Sequence, residues 1–180
     1  TNVMLNGNTL FLIGKNFVSD LNEKLFNKFK IRHPLFVNND ANLFALAEGT
    51  LGVGRKFLEQ RKVAIKDQVL VGITLGTGVG GGAVSEGKIL NGAHGSALEV
   101  GHISLDPKGP RCYCGQNGCA EIYLSGTGLQ NMYSVKSSIE IFKNAELGDS
   151  KSLEILKEYR AKMIHFLSIL NNLFNPHYFV

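Results

Sequence analysis

The sequence predicts an α/β fold, and three observations carry that expectation. Helical and extended segments alternate along the chain, and the extended ones are short and rich in apolar or β-branched residues. No internal repeat, low-complexity tract or interdomain linker interrupts the 180 residues. At 44% hydrophobic and 19% charged residues, the chain has material for a core in one ordinary domain or two small ones.

Leu10 to Ile13 reads as a short strand. Residues 18-VSDLNEKLFNKFKI-31 read as a helix capped by Ser19 or Asp20, with Leu21, Leu25, Phe26 and Phe29 on one face. Pro34 to Val37 looks like a buried strand running into Asn38-Asn39-Asp40. There 41-ANLFALAEGTLG-52 continues in helix formers until its glycines stop it. Strands 69-VLVGITL-75 and 79-VGGGAVS-85 flank Gly76-Thr77-Gly78 as a glycine-rich β-hairpin, with Glu86-Gly87 as the next tight turn. Residues 119-CAEIYLSGTGLQNMYS-134 suggest short helices broken at Gly126 and Gly128. From Leu153 to Phe174, Leu156, Tyr159, Met163, Leu167 and Leu170 recur every three or four residues, which predicts a long amphipathic helix ended by Pro176. The closing His177-Tyr178-Phe179-Val180 has strand character without room to become a strand. An opening on Thr1 and that apolar close lead us to expect a piece of something longer.

Nineteen Lys and Arg against fifteen Asp and Glu give a net charge of +4, spread over 14–32, 55–66 and 136–162. Without aromatic and basic residues interleaved, this predicts a solvated, mildly cationic surface rather than a nucleic-acid face, one that still welcomes an anionic ligand such as a nucleotide. No apolar run of membrane-spanning length and no signal-peptide pattern occurs, so a cytoplasmic protein without a membrane partner is expected.

Cys112, Cys114 and Cys119 are the only cysteines, spaced C-x-C-x4-C, and His102 precedes them by ten residues. Three cysteines cannot all pair within one chain, and a reducing cytoplasm disfavours disulfides. Zinc takes four nitrogen or sulfur ligands in a tetrahedron, and Cys3His is one of its usual structural sets. Gly115 and Gly118 permit the turn that would aim the sulfurs at one point. The spacing favours zinc, with free structural thiols and a redox pair as the alternatives.

Seven of the 21 glycines fall between Gly72 and Gly87. The run 76–82 lacks the Gly-Lys-Ser/Thr ending of a Walker loop and sits at a hairpin rather than between strand and helix. It can serve as closely packed structure, or it can bring backbone N–H groups and the Thr77 hydroxyl to phosphate oxygens. Asp40 likewise has two readings, a helix N-cap or a general base for transfer to a hydroxyl.

Together, Asn39-Asp40-Ala41-Asn42, Gly76-Thr77-Gly78-Val79-Gly80-Gly81-Gly82, Glu99-Val100-Gly101-His102 and Cys112-x-Cys114-Gly115-x-x-Gly118-Cys119-x-Glu121 resemble the ROK family. These are sugar kinases, with related sugar-sensing repressors. The resemblance implies an actin-like, ribonuclease-H-like ATPase fold, here mainly its larger C-terminal lobe, as one partial kinase domain over 1–180 with a zinc loop at 102–119. It implies ATP-dependent phosphorylation of a hexose, glucose or an N-acetylhexosamine, at the 6-hydroxyl. Asp40 matches the base. Asn39, Asp40, Gly78, Glu99, His102 and Glu121 match sugar ligands, and Thr77, Gly78, Gly80, Gly81 and Gly82 match the second phosphate loop for ATP with Mg2+. His102, Cys112, Cys114 and Cys119 match the ligands of a structural Zn2+.

The family's first phosphate loop and its adenosine loop have no counterpart in the 180 residues, so these residues alone are expected to be poor catalysts. Leu98 stands where many members carry a small residue. Dimers are frequent in the family, and the 153–174 helix could contribute to one, although such a stripe is more often core. The rival expectation is a repressor that binds sugar and carries an N-terminal DNA-binding domain.

Overall fold

The hairpin of residues 69–85 is the centre of the fold, because its glycines let other backbone approach from both sides. The structure, a computed structural model, describes residues 14–180. The strand expected at Leu10 to Ile13 lies outside them. The chain forms two units, one ending at Asn39 and one covering Asp40–Val180.

In the first unit, helix α1 spans Phe17–Phe29. Its N-cap is Asn16, whose side chain accepts the Ser19 N–H at 3.1 Å, so Ser19 and Asp20 lie in the first turn rather than at the cap. Lys30 in left-handed conformation ends it. Pro34 to Val37 is not a strand. Phe36 is 89% exposed and Val37 58%, so the run that reads as buried has no ladder partner among the described residues and only Leu35 in it is partly covered.

In the second unit, β1 (Val69–Leu75) pairs antiparallel with β2 (Val79–Ser85), in register from Val69 with Ser85 to Leu75 with Val79. Strand β3 (Lys88–Ile89) continues beside β2 through the Glu86-Gly87 turn. The last residues do find a place: β4 (Tyr178–Phe179) lies parallel to β1, giving the order β3-β2-β1-β4. The pairing reaches past those two residues, with Ile73 N–H donating to Val180 O at 2.7 Å and His177 N–H to Val69 O at 2.8 Å. Four residues suffice because β1 otherwise presents an open edge.

Helix α2 (Asp40–Thr50) crosses one face of this sheet. Ala41 sits over Gly80 and Gly82, Ala45 over Gly72, and Gly49 beside the Gln68 amide, so α2 runs from the turn end of the hairpin to its base. A methyl on Gly82 would stand 2.5 Å from the Ala41 carbonyl oxygen. Helix α3 (Val53–Arg61) follows, its first N–H held by Glu48 Oε2 at 2.9 Å.

The opposite face carries the main core. Val71, Val79 and Ala83 pack there against Val100, Leu124, Phe166 and Leu170, contributed by the 100–105 segment, α4 (Ala120–Leu124) and α7 (Ser150–Phe174). The break before α5 (Gly126–Tyr133) falls at Ser125, which caps α5 by accepting Gly128 N–H at 2.8 Å. Gly128 is therefore inside a helix, at a corner where an added methyl would strike the Ile122 carbonyl. Helix α6 (Ser138–Glu146) starts from the Ser137 cap and packs with α5 and α7 through Leu129, Ile141 and Ile155. Most of the predicted α7 stripe faces inward, but Leu153 is 49% exposed. Among the described residues no helix is long and apolar enough to cross a membrane.

Candidate active site and metal centre

The Cys/His loop is closed by its own backbone before any metal is considered. Isolated bridges join Ser104 to Cys119 and Arg111 to Asn117, and Leu105 N–H donates to Gly118 O at 2.7 Å. Gly118 has φ +62, and an added methyl there would collide with the Asp106 carbonyl. The fold thus requires glycine where the sequence places one between ligands. His102 sits at the end of a single 3₁₀ turn, Val100–His102, and Cys112 and Cys119 are buried while Cys114 is exposed.

One donor atom from each of His102, Cys112, Cys114 and Cys119 lies within 4.8 Å of the others. Cys112 Sγ is 3.8 Å from His102 Nδ1, and Cys114 Sγ is 3.5 Å from Cys119 Sγ. Zinc bond lengths in a tetrahedron require ligand separations of about 3.3–3.8 Å, so the donor types and these two separations suit zinc. Burial pushes the Cys119 thiol up to about 12, and its sulfur neighbours add to the shift. Hydrogen bonding from the Gln116 backbone lowers the Cys114 thiol. A cation would relieve the first by holding the thiolate directly.

Glu121, the second residue of α4, reaches across to the hairpin, where its Oε2 accepts the Val79 N–H at 3.0 Å. A Cβ on Gly78 would come within 2.5 Å of that same oxygen, so Gly78 is small to admit the carboxylate. Gly76 O accepts the Gly126 N–H at 2.8 Å, a second tie between the turn and the helices after the loop. On the other side of β2, Val100 fills the space beside Gly81, and Gly101 lies against the Val79 carbonyl. Gly80, Gly81 and Gly82 are consequently packing glycines, each facing protein within contact distance. Gly76 has nothing within 4 Å of its missing side chain, and Thr77 is exposed. An added side chain would meet open space at Gly76 and packed protein along β2.

Asp40 is exposed at the first position of α2, and its Oδ1 accepts the Ala41 N–H at 2.9 Å. Since Ala41 lies over Gly80, Asp40 is at the turn end of the hairpin. Asn39 ends the first unit, its N–H donating to Asn38 Oδ1 at 2.8 Å. Glu99 is exposed and follows Leu98, which holds φ +63, a left-handed conformation costly for a branched side chain. The structure therefore joins Gly78, Glu121, His102 and the cysteines through contacts within the second unit. The residue that sequence reasoning missed is Tyr113, whose hydroxyl lies 3.1 Å from His102 Nε2. Its position between two cysteines of the candidate ligand set was the available signal.

The ROK family profile matches residues 13–180. The chain belongs to the ROK family. It is 33% identical over 176 residues to a glucokinase of Halalkalibacterium halodurans, covering 87% of this chain and 50% of the relative. To an N-acetyl-D-glucosamine kinase of Pectobacterium carotovorum it is 31% identical over 183 residues, covering 93% and 55%. The DNA-binding transcriptional dual regulator NagC of Escherichia coli is 30% identical over 168 residues, covering 86% of this chain and 38% of that protein. In structure, the chain matches the ROK hexokinase from Thermus thermophilus with a TM-score of 0.77 at 28% identity, covering 93% of this chain and 53% of the other. The fold is thus the α/β, actin-like ATPase fold of the ROK sugar kinases. This ROK chain spans about half the length of the curated relatives it matches.

Proposed function

We propose that the protein transfers a phosphoryl group from ATP to the 6-hydroxyl of a hexose, glucose or an N-acetylhexosamine, with Asp40 as general base. The observation that carries this reading is the convergence at one end of the hairpin. α2 delivers Asp40 to the turn end, the turn itself is open at Gly76 and Thr77, and Glu121 reaches the same turn from the Cys/His loop. A hydroxyl attacks phosphorus poorly until its proton has somewhere to go, and a carboxylate within hydrogen-bond reach supplies that place. With Oδ1 engaged by Ala41 N–H, Oδ2 is the oxygen that would take the proton. ATP with Mg2+ supplies the transferable phosphoryl group and the charge neutralisation that transfer needs.

On the protein's side, the Thr77 hydroxyl and the backbone of Thr77 and Gly78 would hold phosphate oxygens. Gly80, Gly81 and Gly82 support the turn by close packing. The sugar would be held by Glu99, His102 and Glu121, with Asn39 and Gly78 carried over from the family motifs. His102 and Glu121 flank the Cys3His cluster, so a structural zinc would fix the segment that presents them without taking part in the transfer. Glucokinase and N-acetyl-D-glucosamine kinase relatives support the substrate class.

The regulator among the relatives supports a second reading, sugar sensing without chemistry. A sensor needs neither a base nor a phosphate turn, and an aspartate at the turn end beside an open Gly76-Thr77 supports the kinase reading over it. The deciding experiment is full-length protein with a hexose panel, ATP and Mg2+, followed by coupled ADP detection. The kinase reading expects turnover that Asp40→Asn abolishes while sugar binding persists. Sugar binding without turnover in the unmutated protein would favour the sensor instead.

A further inference from the structure

Tyr113 occupies the x of C-x-C, a position the metal-ligand pattern leaves free, and its side chain is 81% exposed. An aromatic so exposed gains little from burial, so its polar contact is what fixes it. The hydroxyl lies 3.1 Å from His102 Nε2, and the rings meet edge to face with centroids 5.2 Å apart. His102 turns its other nitrogen, Nδ1, to Cys112 Sγ at 3.8 Å. A metal held by the cysteines and Nδ1 would leave the His102 proton on Nε2, so that Nε2–H would donate to the Tyr113 oxygen.

We propose that Tyr113 is a gate on the sugar subsite: its hydroxyl takes the place of a sugar hydroxyl on His102 Nε2, and a hexose binds by displacing it. The proposal rests on the sugar-kinase reading above. A phenol hydroxyl offers the same acceptor and donor as a sugar hydroxyl, so the contact satisfies His102 as a ligand would. A hexose meets an open subsite only in the fraction of molecules whose tyrosine has swung away, and its apparent affinity is reduced by that fraction. The exposed ring has solvent to swing into, and the metal ligands on either side of it need not move.

The test compares Tyr113→Phe with the unmutated full-length protein. Calorimetric titration with glucose and with N-acetylglucosamine measures affinity, elemental analysis measures zinc, and the ¹⁵N resonances of the His102 ring are recorded without sugar. The variant keeps the ring and loses only the hydroxyl. Hexose affinity is expected to rise about three- to tenfold, the worth of one such hydrogen bond. Zinc should stay at one per chain, and the Nε2 resonance should shift in the sugar-free protein. Unchanged affinity overturns the gate, and weaker binding makes Tyr113 an ordinary sugar contact, which overturns it too. If neither protein binds a hexose, the kinase reading falls and the gate with it. If the unmutated protein binds and the variant binds no tighter, only the gate falls.

Discussion

Two glycines of the hairpin separate packing from ligand binding. Gly82→Ala places a methyl 2.5 Å from the Ala41 carbonyl oxygen and 2.8 Å from Asn42 Cα, both backbone atoms of a helix already packed on the sheet. α2 must move to admit it, which costs about 1–3 kcal/mol. Urea unfolding of the variant should show that loss. Gly76→Ala meets nothing within 4 Å, so its stability should stay within about 0.5 kcal/mol of the parent. On the proposed reading the methyl would nevertheless stand where a phosphate approaches, and ATP affinity should fall. The reverse outcome, a stable Gly82→Ala that loses ATP binding, would return the phosphate role to β2. Sequence made the glycine run legible and favoured packing for the motif taken alone, but left both readings open, because a glycine that admits a helix and one that admits a phosphate look alike before the neighbours are known. The same holds for Tyr113: the cysteine spacing located the Cys3His cluster, whereas a contact between an exposed phenol and an imidazole depends on the fold of the loop.

Elements whose apolar period was long or whose strands were β-branched were legible, as α7 and the hairpin were. α3 and α6 were missed because each has only nine residues and little inward surface, and capping from Glu48 and Ser137 sets their starts. Strand β4 was dismissed as too short, since an open edge on β1 is a tertiary fact. The cap of α7 offers a test at this scale. Asp149 accepts the Ser152 N–H at 2.8 Å, and that hydrogen bonding to Ser152 holds its carboxyl below the usual carboxylate range. A lowered folded pKa means stability that is present above the unfolded value, about 4, and lost as pH falls through the folded one. Asp149→Ala should therefore lower the thermal midpoint at neutral pH, and the gap to the parent should narrow as the solution is acidified below about pH 4. A gap independent of pH would show that the capping charge contributes nothing.

At the scale of the whole molecule the question is what the Cys/His cluster holds up. The sheet, α2 and α7 are secured by apolar packing, with Leu70, Val71, Val84, Phe166 and Leu170 fully buried, and none of that requires a metal. Residues 102–121 have two single-residue bridges and a buried cysteine pair, Cys112 and Cys119, and burial raises the Cys119 thiol, so that a thiolate there would need a cation beside it. Zinc removal should therefore act locally. Native protein should carry one zinc per chain, and Cys114→Ser should carry none. Chelation should speed amide hydrogen exchange across 102–121 while leaving 69–85 protected. Because His102 and Glu121 stand at the two ends of that segment, hexose affinity should fall in the same chelated sample, with the hairpin still folded. A metal-free native protein would remove the zinc assignment. A metalloprotein whose sheet melted on chelation would instead make the cluster part of the global core, against the division of labour that the burial pattern describes.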